Sequence, residues 1–126
     1  MPHTASRPKF LNLLLIRMPV GAVASIGHRV SGIFLFLSLP LAAFLLDLSL
    51  QGQAGFEQAA ALLSSPLLRL VQVVLAWSIF HHALAGLRFL LIDVDVGVLK
   101  STARASALAV NIAAPLLALL FLWSIW

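Results

Sequence analysis

Apolar residues do not alternate with polar ones along this chain; they come in long runs. From about Ala22 to Leu50, from Leu67 to Ile92 and from Ala105 to Trp126, the sequence is dominated by Leu, Ala, Val, Ile and Phe. Each run reaches the roughly 20 apolar residues that a helix needs to cross a bilayer. Lipid offers no partner to backbone N–H and C=O groups, so runs of this kind predict transmembrane helices, which satisfy those groups internally. Pro40 falls inside the first run and Pro115 inside the third, and Pro40 predicts a kink of the kind that neighbouring helices tolerate. Ahead of the first run, Phe10 to Val20 mix apolar residues with Arg17 and Pro19. That stretch is too short to span and predicts an interfacial arm, taken with the preceding residues as 1–20.

The pattern therefore predicts an all-α membrane protein. A single membrane-anchor domain covers 1–126, with a short N-terminal interfacial arm and three transmembrane helices at about 22–50, 67–92 and 105–126. Gln51 to Pro66 reads as the only sizeable polar connection, with Gly52, Gly55 and Glu57 ahead of a Ser64, Ser65, Pro66 turn. A second connection runs from Asp93 to Arg104.

Composition sharpens this picture. The chain is 62% hydrophobic and 10% charged, with a mean hydropathy of +1.08, well beyond the balance of a soluble domain. Three spans leave no room for a separate soluble catalytic domain. Without cysteine, the chain cannot build thiolate metal sites or an iron–sulfur cluster, which leaves histidine as its metal ligand. The net charge of +4 comes without a basic run, so nucleic acid is not an expected partner and lipid is.

The charges instead mark sidedness. Arg7, Lys9, Arg17, Lys100 and Arg104 gather on the face that holds the N-terminus, with Arg29 and Arg88 in the spans nearest it, while the opposite face has Arg69. The positive-inside rule then predicts a cytoplasmic N-terminus and a periplasmic C-terminus. Trp123 and Trp126 suit the interfacial belt at the far end. Met1 to Phe10 has no apolar core or small-residue cleavage site, so no signal peptide is expected. It also looks too short for a transit peptide, which favours a bacterial inner membrane over a mitochondrial one.

Ionisable residues inside spans are costly, and each is a functional candidate. In the first span, Gly21, Ser25, His28 and Gly32 fall on one helical stripe with Arg29 beside it. Small residues there admit a close neighbour, and the hydroxyl and guanidinium offer donors to a quinone carbonyl or a haem propionate. Snorkelling of Arg29 and helix packing on the glycines are the structural alternative. In the second span, His82 shares a face with Ser78, Gly86, Phe89 and Asp93, whereas His81 projects about a quarter turn away alongside Arg88. An inward imidazole with Gly86 one turn on, leaving room for a flat ring, suits an axial haem ligand, and Arg88 suits a propionate. A transmembrane histidine that merely packs is the competing reading. His28 lies too close to the surface to face His82 across one porphyrin, so a second ligand is expected from another chain.

Two blocks carry a family resemblance: Ser25, Ile26, Gly27, His28, Arg29, Val30, Ser31, Gly32, and then His82, Gly86, Leu87, Arg88 and Asp93. Together with Arg7, Pro8 and Arg17, Met18, Pro19 ahead of them, they resemble the cytochrome b anchor subunit of succinate dehydrogenase, respiratory complex II. The motifs cover roughly residues 7 to 95. The resemblance implies a chain that pairs with a smaller membrane-anchor subunit, which supplies the second haem ligand. The pair would anchor an iron–sulfur subunit and a flavoprotein subunit of this tricarboxylic acid cycle enzyme, where succinate oxidation itself occurs on another subunit. Electrons from succinate would pass by flavin and iron–sulfur clusters to ubiquinone. It further implies haem b with His82 as the axial ligand to the iron, His28 and Arg88 near the propionates, and Ser25 and Arg29 at the quinone site. Where some relatives carry a second histidine after the motif arginine, this chain has Phe89. Two alternatives remain open: a fumarate reductase anchor working in reverse, and a haem-free membrane scaffold.

Overall fold

A computed structural model of the chain describes residues 17–126. The predicted interfacial arm, 1–20, lies outside the described residues except for Arg17, Met18 and Pro19, which are exposed, and Val20, which opens the first helix. Four helices follow: α1 (Val20–Ser49), α2 (Gln53–Leu63), α3 (Pro66–Asp93) and α4 (Lys100–Ile125). Three of them, α1, α3 and α4, are long and apolar enough to cross a membrane. Among the described residues there is no strand.

Local chemistry explains the ends of these helices. Pro19 precedes α1 in an extended conformation, and its carbonyl accepts from Ala22 and Val23. Ser65 caps α3, its hydroxyl accepting from the Leu68 N–H, while Pro66 opens the first turn, where its missing N–H costs nothing. The other end of α3 closes with Val96 N–H on the Leu91 carbonyl and Asp95 N–H on the Ile92 carbonyl. That pair of bonds needs a left-handed residue, and Asp95 supplies it at φ 61° where glycine is usual. Neither Pro40 nor Pro115 interrupts its helix.

The structure corrects two expectations. The polar connection after the first span is mostly helical, because α2 occupies Gln53–Leu63. Its Gly55 lets it fold back on the end of α1, since a Cβ there would collide with the Leu48 carbonyl oxygen. The third long helix also begins at Lys100, five residues before its apolar run, so that Lys100 and Arg104 ride on its first turns.

Helices α1, α3 and α4 pack on one another, and α2 rests mainly on α1. The buried apolar positions are mostly small: Ala24, Ala59, Ala76, Ala85, Ala107, Ala114 and Ala118, with Val110 and Leu122. Large apolar residues point outward; Phe36 is 71% exposed and Trp123 88%. This is the arrangement membrane helices favour, because lipid is as apolar as leucine and association rests on close approach rather than on burying bulk. Chain direction places the start of α1, the end of α3 and the start of α4 at one end of the bundle. At the other end, Trp126 Nε1–H donates to Gln72 Oε1 at 3.1 Å and Arg69 stacks on the Trp126 ring.

Candidate functional site

The polar residues of the bundle interior converge where α1 meets α3. His81 is 3% exposed, and its Nε2–H donates to the Ala24 carbonyl at 3.3 Å. A carbonyl only accepts, so that nitrogen carries the proton. The ring has room because position 27 is glycine: a Cβ there would overlap the imidazole. Trp77 covers it, with ring centroids 5.1 Å apart.

His82, the next residue, does the same one turn further along α1. Its Nδ1–H donates to the His28 carbonyl at 3.1 Å and lies 3.3 Å from Ser31 Oγ. Ser31 is fully buried, and its hydroxyl donates to that same carbonyl at 2.9 Å. Two consecutive histidines of α3 thus hold two carbonyls four residues apart on α1, which fixes the register of the two helices. The His28 ring stacks on His82 with centroids 4.1 Å apart and planes 13° from parallel. Its Nε2 lies 3.5 Å from where a Cβ of Gly86 would be, and Phe89 meets it edge-on.

The outer side of this cluster opens into a groove of about 480 Å³ lined by His28, Arg29, Gly32, Ile33, Phe36, Leu37 and His82. Gly32 keeps it open beside the His82 ring, because a Cβ there would stand 3.0 Å from His82 Cε1. A groove-lining imidazole with one nitrogen fixed to a backbone carbonyl and no partner on the other among the described residues is the arrangement that metal-ligating histidines use.

Residues 3–122 match the family described as succinate dehydrogenase/fumarate reductase transmembrane subunit. This chain belongs to that family. It is 34% identical over 90 residues to the succinate dehydrogenase cytochrome b556 subunit of Coxiella burnetii, covering 71% of this chain and 72% of the relative. It is 29% identical over 120 residues to the subunit of the same name from Paracoccus denitrificans, covering 95% and 92%.

Within this transmembrane subunit, the structure brings together three of the residues singled out in the sequence, His28, Arg29 and His82, around one groove. It sets two others apart. Ser25 is half-buried one turn from Arg29, and among the described residues its hydroxyl has no hydrogen-bond partner. Arg88 turns to α4, where Nε–H donates to Ser106 Oγ at 3.0 Å and an Nη2–H to the Ala103 carbonyl at 3.1 Å. The buried face of α1 also centres on Ala24 and Ser31, so the stripe through Gly21, Ser25 and Gly32 forms its edge. The flat ring lying over Gly86 is that of His28. Because His28 and His82 are stacked in contact, they cannot clasp a porphyrin between them.

Ser31, His81 and Gly27 have structural roles that the sequence reading does not assign to them. Ser31 stands three residues after His28 within the first motif block and was detectable by that spacing. The partners of His81 depend on the α1–α3 register, for which the sequence carries no local signal.

Proposed function

We propose that this chain is the cytochrome b anchor subunit of a succinate dehydrogenase, holding haem b through His82 and presenting ubiquinone to the electrons delivered by an iron–sulfur subunit. The observation that carries the reading is the His82 imidazole, which lines the groove, with Nδ1–H committed to the His28 carbonyl and no hydrogen-bond partner for Nε2 among the described residues. The residues present fit the group: an imidazole oriented by its Nδ1–H bond, a gap kept by Gly32, and apolar walls from Ile33, Phe36 and Leu37. When bound, haem supplies a one-electron carrier within the membrane. A second protein ligand would come from the smaller membrane-anchor subunit, since the other histidine of this groove is stacked on His82.

His28 and Arg88 lie at the same end of the bundle and contribute polarity and positive charge for the propionates. The Ser25 hydroxyl, which has no hydrogen-bond partner among the described residues, would donate to a quinone carbonyl, and Arg29 one turn away favours negative charge as it develops on the quinone oxygens. The chain's contribution is positioning, charge and exclusion of water, while succinate oxidation belongs to the flavoprotein subunit. The clustering of Arg17, Lys100 and Arg104 at the His82 end supports a cytoplasmic placement of that end and a periplasmic C-terminus, in a bacterial inner membrane. The family description spans both redox directions, and the names of both relatives favour succinate oxidation.

A reduced-minus-oxidised absorbance spectrum of the complex purified with its partner subunits tests the reading. A b-type α-band is expected in the wild type and its loss in His82→Ala with the subunits still co-purifying. A wild-type complex without the band would leave a haem-free scaffold as the function.

A further inference from the structure

Resting on the haem-ligand reading of His82, we propose that Ser31 is a positioning residue that sets the electron-donating strength of that ligand. Three atoms form a closed network: Ser31 Oγ–H to the His28 carbonyl at 2.9 Å, His82 Nδ1–H to the same carbonyl at 3.1 Å, and His82 Nδ1 against Ser31 Oγ at 3.3 Å. The hydroxyl gives its proton to the carbonyl, so toward Nδ1 it presents only lone pairs. The Nδ1–H is therefore shared between two acceptors, both on α1. One is backbone and cannot be removed by mutation; the other is Ser31.

Two consequences follow. With Nδ1 protonated by necessity, the lone pair of the neutral ring resides on Nε2, and the ring is held from rotating about its Cβ–Cγ bond. Acceptors on the distal N–H of a ligating histidine also raise the basicity of the ligand. A more basic ligand stabilises the ferric over the ferrous state, so Ser31 lowers the reduction potential of the haem. The burial of Ser31 strengthens its effect, because no water can replace the hydroxyl once it is lost.

Ser38 provides an internal control. Its hydroxyl makes the same type of bond to the carbonyl three residues back, Leu35 at 2.7 Å, two turns further along α1, and it touches no histidine ring. A purely helical role for the serine hydroxyl predicts equal behaviour at 31 and 38.

The test is redox titration of the haem in the intact purified complex for wild type, Ser31→Ala, Ser31→Cys and Ser38→Ala. Loss of about one neutral hydrogen bond is expected to raise the ferrous-to-ferric ratio at fixed potential about threefold or more in both Ser31 variants, roughly 28 mV upward for a one-electron couple, with Ser38→Ala unchanged. Loss of haem from Ser31→Ala with the subunits still co-purifying supports the same role in stronger form. Wild-type potential in either Ser31 variant, an equal shift in Ser38→Ala, or failure of both Ser31 variants to assemble would overturn it and leave the hydroxyl a packing group. Failure of the underlying reading is a separate result: no α-band in the wild type, or a band that survives His82→Ala.

Discussion

The two ends of the bundle are joined by different forces. At the end holding His82, side-chain N–H groups from α3 and α4 are spent on backbone carbonyls: His81 on Ala24, His82 on His28, Arg88 on Ala103 and Asn111 on Val20. Towards the opposite end, α3 and α4 meet through Ala76, Ala118 and Leu122, with Trp77 and Phe80 packed against them and Phe80 edge-on to Phe121. Apolar contacts in lipid carry little directional information, because lipid competes for them on equal terms. Hydrogen bonds to a carbonyl fix rotation and register together. The site end is therefore specified mainly by bonds to backbone carbonyls, and the opposite end by the sizes of small residues together with the Trp126–Gln72 hydrogen bond and the Arg69–Trp126 contact.

This contrast can be broken most forcefully at Gly27. A Gly27→Val side chain would have to displace the His81 imidazole, with an overpacking cost of about 1–3 kcal/mol or more. Both the thermal stability of the purified complex and its haem spectrum should suffer, since the bond that aligns α1 with α3 is lost with the ring. A variant with wild-type melting and spectrum would show that the histidine clasp does not set the register. Ala118→Leu applies a comparable insult to the other end, where Ala118 is buried against Ala76 and Leu122. Melting should fall by an amount equivalent to about 1–3 kcal/mol while the α-band and haem potential stay at wild-type values. Coupled loss of both would mean that the two ends are one cooperative unit.

The smallest effect on the fold is expected at the edge of the site. Ser25 has no partner to lose among the described residues and Arg29 is exposed, so Ser25→Ala and Arg29→Leu should change stability by no more than about 0.5 kcal/mol. Quinone reduction by the complex should nevertheless drop at least about tenfold, with succinate oxidation by a soluble artificial acceptor retained. Equal loss of the two activities would assign these residues to assembly instead.

How much could be read beforehand follows from what each feature depends on. The three long helices are legible because lipid imposes a length and a composition on every span, whatever its neighbours. Helix α2 was hidden by Gly52 and Gly55, which read as loop residues; Gly55 is in fact a contact point against Leu48. The start of α4 was misplaced because hydropathy reports where lipid begins, not where helix begins, and Lys100 to Arg104 are helical without being apolar. At the site, His28, Arg29 and His82 were identifiable from residue type and spacing. Arg88's attachment to Ser106 and Ala103 was not, because no feature of α3 or α4 alone states which residues will face one another.

The length of α1 sets the depth at which this chemistry takes place. Thirty residues at 1.5 Å each make a rod of about 45 Å, against a hydrocarbon layer of about 30 Å. Even the usual tilt of about 20° leaves more than 10 Å of surplus to be accommodated at the two surfaces. His28 stands eight residues from the start of the rod, about 12 Å along it. Divided evenly, the surplus puts the imidazole pair only a few ångströms inside the oily layer, a place where a flat amphiphile can keep its acidic edge among headgroups while its face stays dry.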